Sequence, residues 1–290
     1  MLAFAVLLFA VGAAYGALIL VTWVDEILFP GNGIHVNLPG ADKGSGGSGV
    51  GKDRINILVM GLDRRPREGQ SPSRSDTMFV LTVDPQTKTA GILGIPRDLY
   101  VDIPDGDGGY FRDRINTALV FGEVNDYKGG GHQLAIDTVE HNLGVKIGHY
   151  VIIDFEGFKE VIDALGGIDI DVPTYVSDPT YSWTELPGDY DPQEFEPGLQ
   201  HMDGETALAY ARIRQNSDDL DRIQRQQRII FAVMDKALSL NVLRNALELW
   251  NKYKDAIDTD INDIQLAGFA KLAADISPEK ISALSLGPAT

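Results

Sequence analysis

The chain has 290 residues, with 42 acidic and 25 basic side chains, 44% hydrophobic residues and no cysteine. That hydrophobic share supports a sizeable core rather than wholesale disorder. The net charge of −17 argues against nucleic-acid binding, which needs a basic face toward phosphates, and the lack of cysteine excludes disulfide scaffolds, Cys-ligated zinc and thiol nucleophiles.

Met1 to Val24 carries no charged residue. As a helix it would run about 36 Å, enough to cross a bilayer core of about 30 Å. Trp23 stands at its end, where an interfacial aromatic is expected. The alternative is a buried core helix, but the run is long and apolar on every face. Residues 1–24 are therefore read as a transmembrane anchor. Eight glycines between Gly31 and Gly51, with Pro30 and Pro39, make residues 25–52 a flexible Gly/Ser-rich linker. Residues 53–290 follow as a folded domain. All of its acidic bulk lies beyond the anchor, which places it on the extracytoplasmic face at the cell membrane.

Within the domain, Ile55–Met60 is a short apolar run ended by Gly61, and predicts a buried strand. Thr77–Val83 and Thr89–Ile95 predict two more, stopped by Asp84-Pro85 and Pro96. Asn116 is placed to cap a helix through Val124. His132–Leu143 has helical spacing and ends at Gly144. Tyr150–Phe155 reads as a strand, Gly157–Leu165 as a helix and Ile168–Val172 as a strand. Short links mixed with helical crossovers predict one α/β domain with a central mixed sheet. Thr174–Gln200 breaks the rhythm, with four prolines, five aromatics, six acidic residues and no basic one. A loop of this length is read as functional or mobile; the alternative is an ordered loop whose aromatics plug the core. Helices resume after Asp203, an N-cap residue, and again over 219–238, 241–254 and 262–274.

The common catalytic signatures are absent: there is no P-loop, no Rossmann glycine fingerprint, no H-E-x-x-H and no G-x-S-x-G. Two clusters stand out instead. Asp63 follows the first strand, Asp76 precedes the second and Arg97 follows the third. If the second strand is antiparallel to its neighbours, all three share one edge of the sheet. Two carboxylates on one pocket call for a cation between them, and oxygen ligands suit Mg²⁺. Equally, aspartates are common turn and cap residues. The second cluster is basic. Arg212 and Arg214 point the same way only on an extended chain. Arg222, Arg225 and Gln226 share one face of the following helix. Arginine forks fit phosphate oxygens, but ion pairs with Asp218, Asp219 and Asp221 are the plainer reading.

Several stretches, in order, resemble the LytR-CpsA-Psr family of membrane-anchored cell-wall enzymes. They are Asn56-Ile57-Leu58-Val59-Met60-Gly61-Leu62-Asp63, Arg74-Ser75-Asp76-Thr77, Gly94-Ile95-Pro96-Arg97-Asp98, Arg114-Ile115-Asn116, the run Asp203–Arg214 and the run Asp219–Gln227. The resemblance covers roughly residues 54 to 240 and implies an α/β/α sandwich. It implies a phosphotransferase that moves a phosphorylated glycopolymer from a polyprenyl pyrophosphate carrier to a sugar hydroxyl of peptidoglycan. By the same resemblance, Asp63 and Asp76 hold Mg²⁺, with Mn²⁺ as a substitute. Asp76, Arg97, Arg212, Arg214 and Arg222 carry the catalysis. Arg74, Arg97, Arg114, Arg212, Arg214, Arg222, Arg225 and Gln226 hold the pyrophosphate, and the prenyl tail enters an apolar channel in the domain. The alternatives are a polyprenyl pyrophosphate phosphatase, which uses water on the same site, and a non-catalytic module that binds lipid-linked phosphates.

Overall fold

Consecutive apolar residues, not every second one, mark a strand buried on both faces, and the centres of the first two strands, Ile57–Met60 and Met78–Leu81, are of this kind. β1 (Ile55–Leu62) and β2 (Ser75–Asp84) bury Ile57, Val59, Phe79 and Leu81 on one face and Leu58, Met60, Met78 and Val80 on the other. The computed structural model describes residues 54–64, 73–184, 186, 188–213, 219–237, 257–262, 265–266, 268–269, 272, 275–277 and 280–286. The expected anchor (1–24), linker (25–52) and helix 241–254 lie outside these residues. Among the described residues, no helix is long and apolar enough to cross a membrane.

The central sheet has six strands. β3 (Thr89–Ile95) pairs antiparallel with β2 on the side away from β1. β6 (His149–Ile153) pairs parallel with β1. β11 (Ile257–Thr259) and β12 (Ile281–Ser285) close the two edges, giving the order β11-β6-β1-β2-β3-β12. The sheet is mixed, as the sequence predicts. The edge strands β11 and β12 were not predicted; both are short and only partly buried.

Helices cover both faces. On one face lie α1 (Ala118–Val124) and α2 (Gly130–Leu143), which bury Leu119, Leu134 and Val139. On the other lie α3 (Phe155–Ala164), α4 (Gly204–Arg212) and α5 (Asp219–Ala237), which bury Val161, Leu208 and Ile223. The ends follow the sequence signals. Asp154 caps α3 through Gly157 N–H and Asp203 caps α4 through Thr206 N–H. Gly144 ends α2 in the left-handed conformation, at φ 68°. Helix α5 lies close to the sheet because Gly94 has no side chain; a Cβ there would stand 2.8 Å from Ile223 Cγ2.

Four features differ from the sequence reading or add to it. The strand Ile168–Val172 (β7) forms, but outside the central sheet, in a ribbon with β10 (Gly198–Met202). Its strict alternation of buried and exposed residues fits a ribbon with one covered face. Asn116 does not cap α1; it sits in a 3₁₀ turn, Ile115–Thr117, with its amide turned elsewhere. The hairpin of β4 (Tyr100–Pro104) and β5 (Tyr110–Arg114) was missed, although its Asp-Gly-Asp-Gly-Gly turn is a strong hairpin signal. Finally, the segment 174–200 is largely ordered by its own packing. It forms the pair β8 (Val176–Asp178) and β9 (Gln193–Phe195), and Tyr181 and Phe195 enter the core.

Candidate active site

Asp63, Asp76 and Arg97 reach one edge of the sheet because β2 is antiparallel to both neighbours. The register adds a detail that the sequence does not carry. Gly61 faces Thr77 and Leu62 faces Ser75, so Asp76 is an extra residue in a bulge. A bulge re-aims a side chain at the end of a ladder. Here it brings Asp76 to Arg97, whose Nη1 donates to Asp76 Oδ2 at 2.8 Å. The second carboxylate oxygen accepts from Asn116 Nδ2 at 3.1 Å. Asn116 is buried, so Asp76 is held by two donors on a fixed base. This role of Asn116 was missed; its place two residues after Arg114 was the only signal.

Asp98 extends the network. It forms an ion pair with Arg97, with 3.3 Å to Nε, and accepts from Arg114 Nη1 at 3.3 Å. From the far side, α5 brings Arg222 and Gln226 down onto β2. Both are buried, and Gln226 Nε2 donates to Thr77 Oγ1 at 3.0 Å.

Arg212 ends α4 and enters an aromatic box. Its guanidinium carbon lies 4.4 Å from the ring centre of Phe155, 5.5 Å from Tyr181 and 6.0 Å from Trp183. Its Nη1 donates to the Tyr181 hydroxyl at 3.1 Å. Burial pushes the Tyr181 phenol up to about 12, against the opposing pull of Arg212. The hydroxyl is thus neutral at working pH and accepts from the arginine. The box was also missed, since its aromatics come from an irregular loop and from the start of α3.

Several of these groups meet in one cavity of about 550 Å³. Asp63, Asp76, Thr77, Arg97, Arg212, Arg222 and Gln226 form its polar end. Ile153, Phe155, Phe158, Leu186 and Leu208 give it apolar walls, and Tyr181 and Tyr190 come from the 174–200 segment. That segment therefore walls the cavity. The position, outside the carboxyl ends of β1, β3 and β6, is where open α/β sheets bind ligands.

The other expected site residues are placed differently. Arg74 is exposed and Arg114 is half exposed beside Asp98; neither lines the cavity. Arg225 is buried and turned to the backbone, donating from Nε to Tyr210 O at 3.2 Å and from Nη2 to Ile213 O at 2.6 Å. It satisfies carbonyls left open where α4 ends. Arg214 lies outside the described residues. Among the described residues no group of three or more histidines or carboxylates is arranged to hold a metal. Four aspartates line the cavity, Asp63, Asp76, Asp154 and Asp178; Asp154 caps α3 and Asp178 accepts from Thr180, while Asp63 and Asp76 are the pair at the arginine end. That pair fits a cation that takes its remaining ligands from phosphate and water, as Mg²⁺ does.

The cavity thus joins carboxylates and arginines at one end to apolar walls behind them. The chain belongs to the LytR_cpsA_psr family, whose pattern matches residues 34–288. It is 34% identical over 240 residues to the polyisoprenyl-teichoic acid–peptidoglycan teichoic acid transferase TagV of Bacillus subtilis, covering 81% of this chain and 57% of that protein. It is 35% identical over 213 residues to the TagU transferase of Enterococcus faecalis, covering 73% and 63%. The chain thus spans about 60% of the length of these relatives. Among solved structures, B. subtilis TagV superposes with a TM-score of 0.65 at 33% identity, covering 82% of this chain and 89% of that one. TagT bound to LIIa-WTA superposes with a TM-score of 0.60 at 28% identity, covering 81% and 78%.

Proposed function

We propose that this protein transfers a phosphorylated glycopolymer from a polyprenyl pyrophosphate carrier to a sugar hydroxyl of peptidoglycan. The observation that carries the reading is the single cavity with arginines and carboxylates at one end and apolar walls behind them. The names of the relatives, as polyisoprenyl-linked teichoic acid transferases, point the same way.

In this reading the prenyl tail lies along Phe155, Phe158 and Leu208, and the pyrophosphate meets Arg97, Arg212 and Arg222. Asp76 and Asn116 fix Arg97; the aromatic box fixes Arg212. The sugar hydroxyl attacks the phosphorus that bears the glycopolymer and gives up its proton to a pocket carboxylate or to solvent. The bond from that phosphorus to polyprenyl phosphate breaks, and polyprenyl phosphate leaves with the electron pair. Preorganised guanidinium groups stabilise the charge that develops on the leaving phosphate. Mg²⁺, or Mn²⁺ in its place, held by Asp63 and Asp76, would supply further charge neutralisation there. Residues 1–24 as a membrane anchor, with the domain on the extracytoplasmic face, would keep the enzyme beside its lipid donor.

The test is transfer with purified full-length protein, a polyprenyl pyrophosphate-linked polymer and peptidoglycan, with and without Mg²⁺. The expected product is polymer joined to peptidoglycan by a phosphodiester. Release of phosphorylated polymer with none attached would instead define a phosphatase that uses water. Membrane fractionation with protease accessibility tests the anchor and its orientation.

A further inference from the structure

The cavity accounts for the donor lipid but leaves the acceptor without a surface. We propose that the outer face of the β4–β5 hairpin is the platform that binds the glycan strand of peptidoglycan; this rests on the transfer reading above. The hairpin register sets Tyr100 opposite Arg114, Asp102 opposite Arg112 and Pro104 opposite Tyr110. All of these share one face by the two-residue period of a strand. The other face packs Val101 and Ile103 into the core.

Three features make this face a built site. First, its rings are exposed yet held. Tyr100 and Tyr110 are 58% and 54% exposed. Arg112 stands 5.3 Å over Tyr100, and His141 of α2 stacks on Tyr110 at 4.3 Å between centroids. One side of each ring is thus backed by protein, and the other is open to a ligand. Four strand positions separate the two rings, about 14 Å along the hairpin, so an extended chain is needed to touch both. Second, the base is rigid. Asn142 of α2 grips the hairpin backbone at Asp102 in both directions, at 2.7 and 3.2 Å. Third, the charges cancel. Arg112 pairs with Asp102 at 3.2 Å and Arg114 with Asp98 at 3.3 Å. A surface of neutral pairs offers donors and acceptors to hydroxyls and amides. It offers an anionic donor polymer no net attraction, on a protein that already carries −17.

Position completes the argument. Asp98 is ion-paired with both Arg114 of the hairpin and Arg97 of the cavity, so the platform is continuous with the reacting centre. The cavity walls Phe158, Tyr181 and Leu208 belong to the core on one face of the sheet, and the hairpin to the core on the other. Attacking and leaving oxygens stand roughly in line across the phosphorus in phosphoryl transfer. A hydroxyl arriving from the hairpin side faces a lipid phosphate leaving on the cavity side.

The test uses the full-length double variants Tyr100→Ala/Tyr110→Ala and Tyr100→Phe/Tyr110→Phe. Two readouts are co-sedimentation with sacculi stripped of attached polymer, and the KM for peptidoglycan at saturating donor. The alanine pair should weaken both about tenfold, as expected for losing two stacked rings. It should leave donor affinity unchanged and, because both rings are more than half exposed, lower the melting temperature by only a few degrees. The phenylalanine pair, which keeps the ring faces, should behave as wild type. Unchanged sacculus binding in the alanine pair overturns the proposal. A loss of donor affinity instead overturns it in favour of a track for the donor polymer. Sacculus binding requires no turnover, so failure of the transferase reading would show separately, as a wild-type protein that binds sacculi and transfers nothing.

Discussion

Arg225→Ala separates a structural arginine from a phosphate-binding one. The sequence pattern groups Arg225 with Arg222 and Gln226, yet its guanidinium donates to the carbonyls of Tyr210 and Ile213 in a buried setting. Both carbonyls lie at the end of α4, the helix that delivers Arg212. Hydrogen bonds from a charged donor contribute about 1.5–3 kcal/mol each, and a buried carbonyl left unsatisfied costs about 1–3 kcal/mol. Water entry and relaxation offset part of this, so a net loss of about 3 kcal/mol is expected. Urea unfolding of the variant should show a lower midpoint with an unchanged slope. Donor affinity of the still-folded fraction should be near wild type, and Arg225→Lys, which offers one point donor in place of a fork, should recover only part of the stability. Full stability combined with lost donor binding would refute the assignment and return Arg225 to the pyrophosphate group.

The burial of β1 and β2 was legible because the centre of a doubly buried strand is a continuous apolar run. The edge placement of Asp63, Asp76 and Arg97 followed from antiparallel pairing alone. What stayed hidden depends on register or on contacts distant in sequence. Nothing in Arg74-Ser75-Asp76-Thr77 announces a bulge, since bulges arise from the pairing of two strands. The hydrogen bond from Asn116 to Asp76 spans 40 residues, and that from Arg212 to Tyr181 spans 31. Helical periodicity put Arg225 with Arg222, but positions three apart diverge by about 60°, enough for one to face the cavity and the other the end of α4. The 174–200 segment stayed open between two readings for a different reason. Prolines and carboxylates are visible in composition; whether Tyr181 and Phe195 point in or out is decided by the core they meet.

Asp63→Ala and Asp76→Ala should each abolish transfer at low Mg²⁺ while the fold persists by circular dichroism; full activity in either would sink the metal assignment. Arg97→Lys should recover little of the activity lost in Arg97→Ala, because one ammonium cannot serve both Asp76 and Asp98 as the fork does. Asp203 gives a pH prediction. The N–H of Thr206 holds its carboxyl below the ordinary 3.8. A depressed folded-state value means the cap stabilises above pH 3.8 and fades as pH falls through the lower folded value. Asp203→Ala should therefore cost about 1 kcal/mol at neutral pH and much less in acid, read by thermal melts at both. Tyr181→Phe tests the aromatic box that holds Arg212. The ring remains, so the cation–π contact and the packing persist, and only the 3.1 Å acceptor is lost. If that hydroxyl fixes the fork toward the leaving phosphate, transfer should fall roughly tenfold or more, since a hydrogen bond to a charged group is worth about 1.5–3 kcal/mol. The loss should appear in kcat at saturating donor and stay constant from pH 6 to 9, because the phenol, pushed up to about 12, is neutral throughout. A loss that grows with pH in this range would mean that a group other than the neutral hydroxyl governs Arg212.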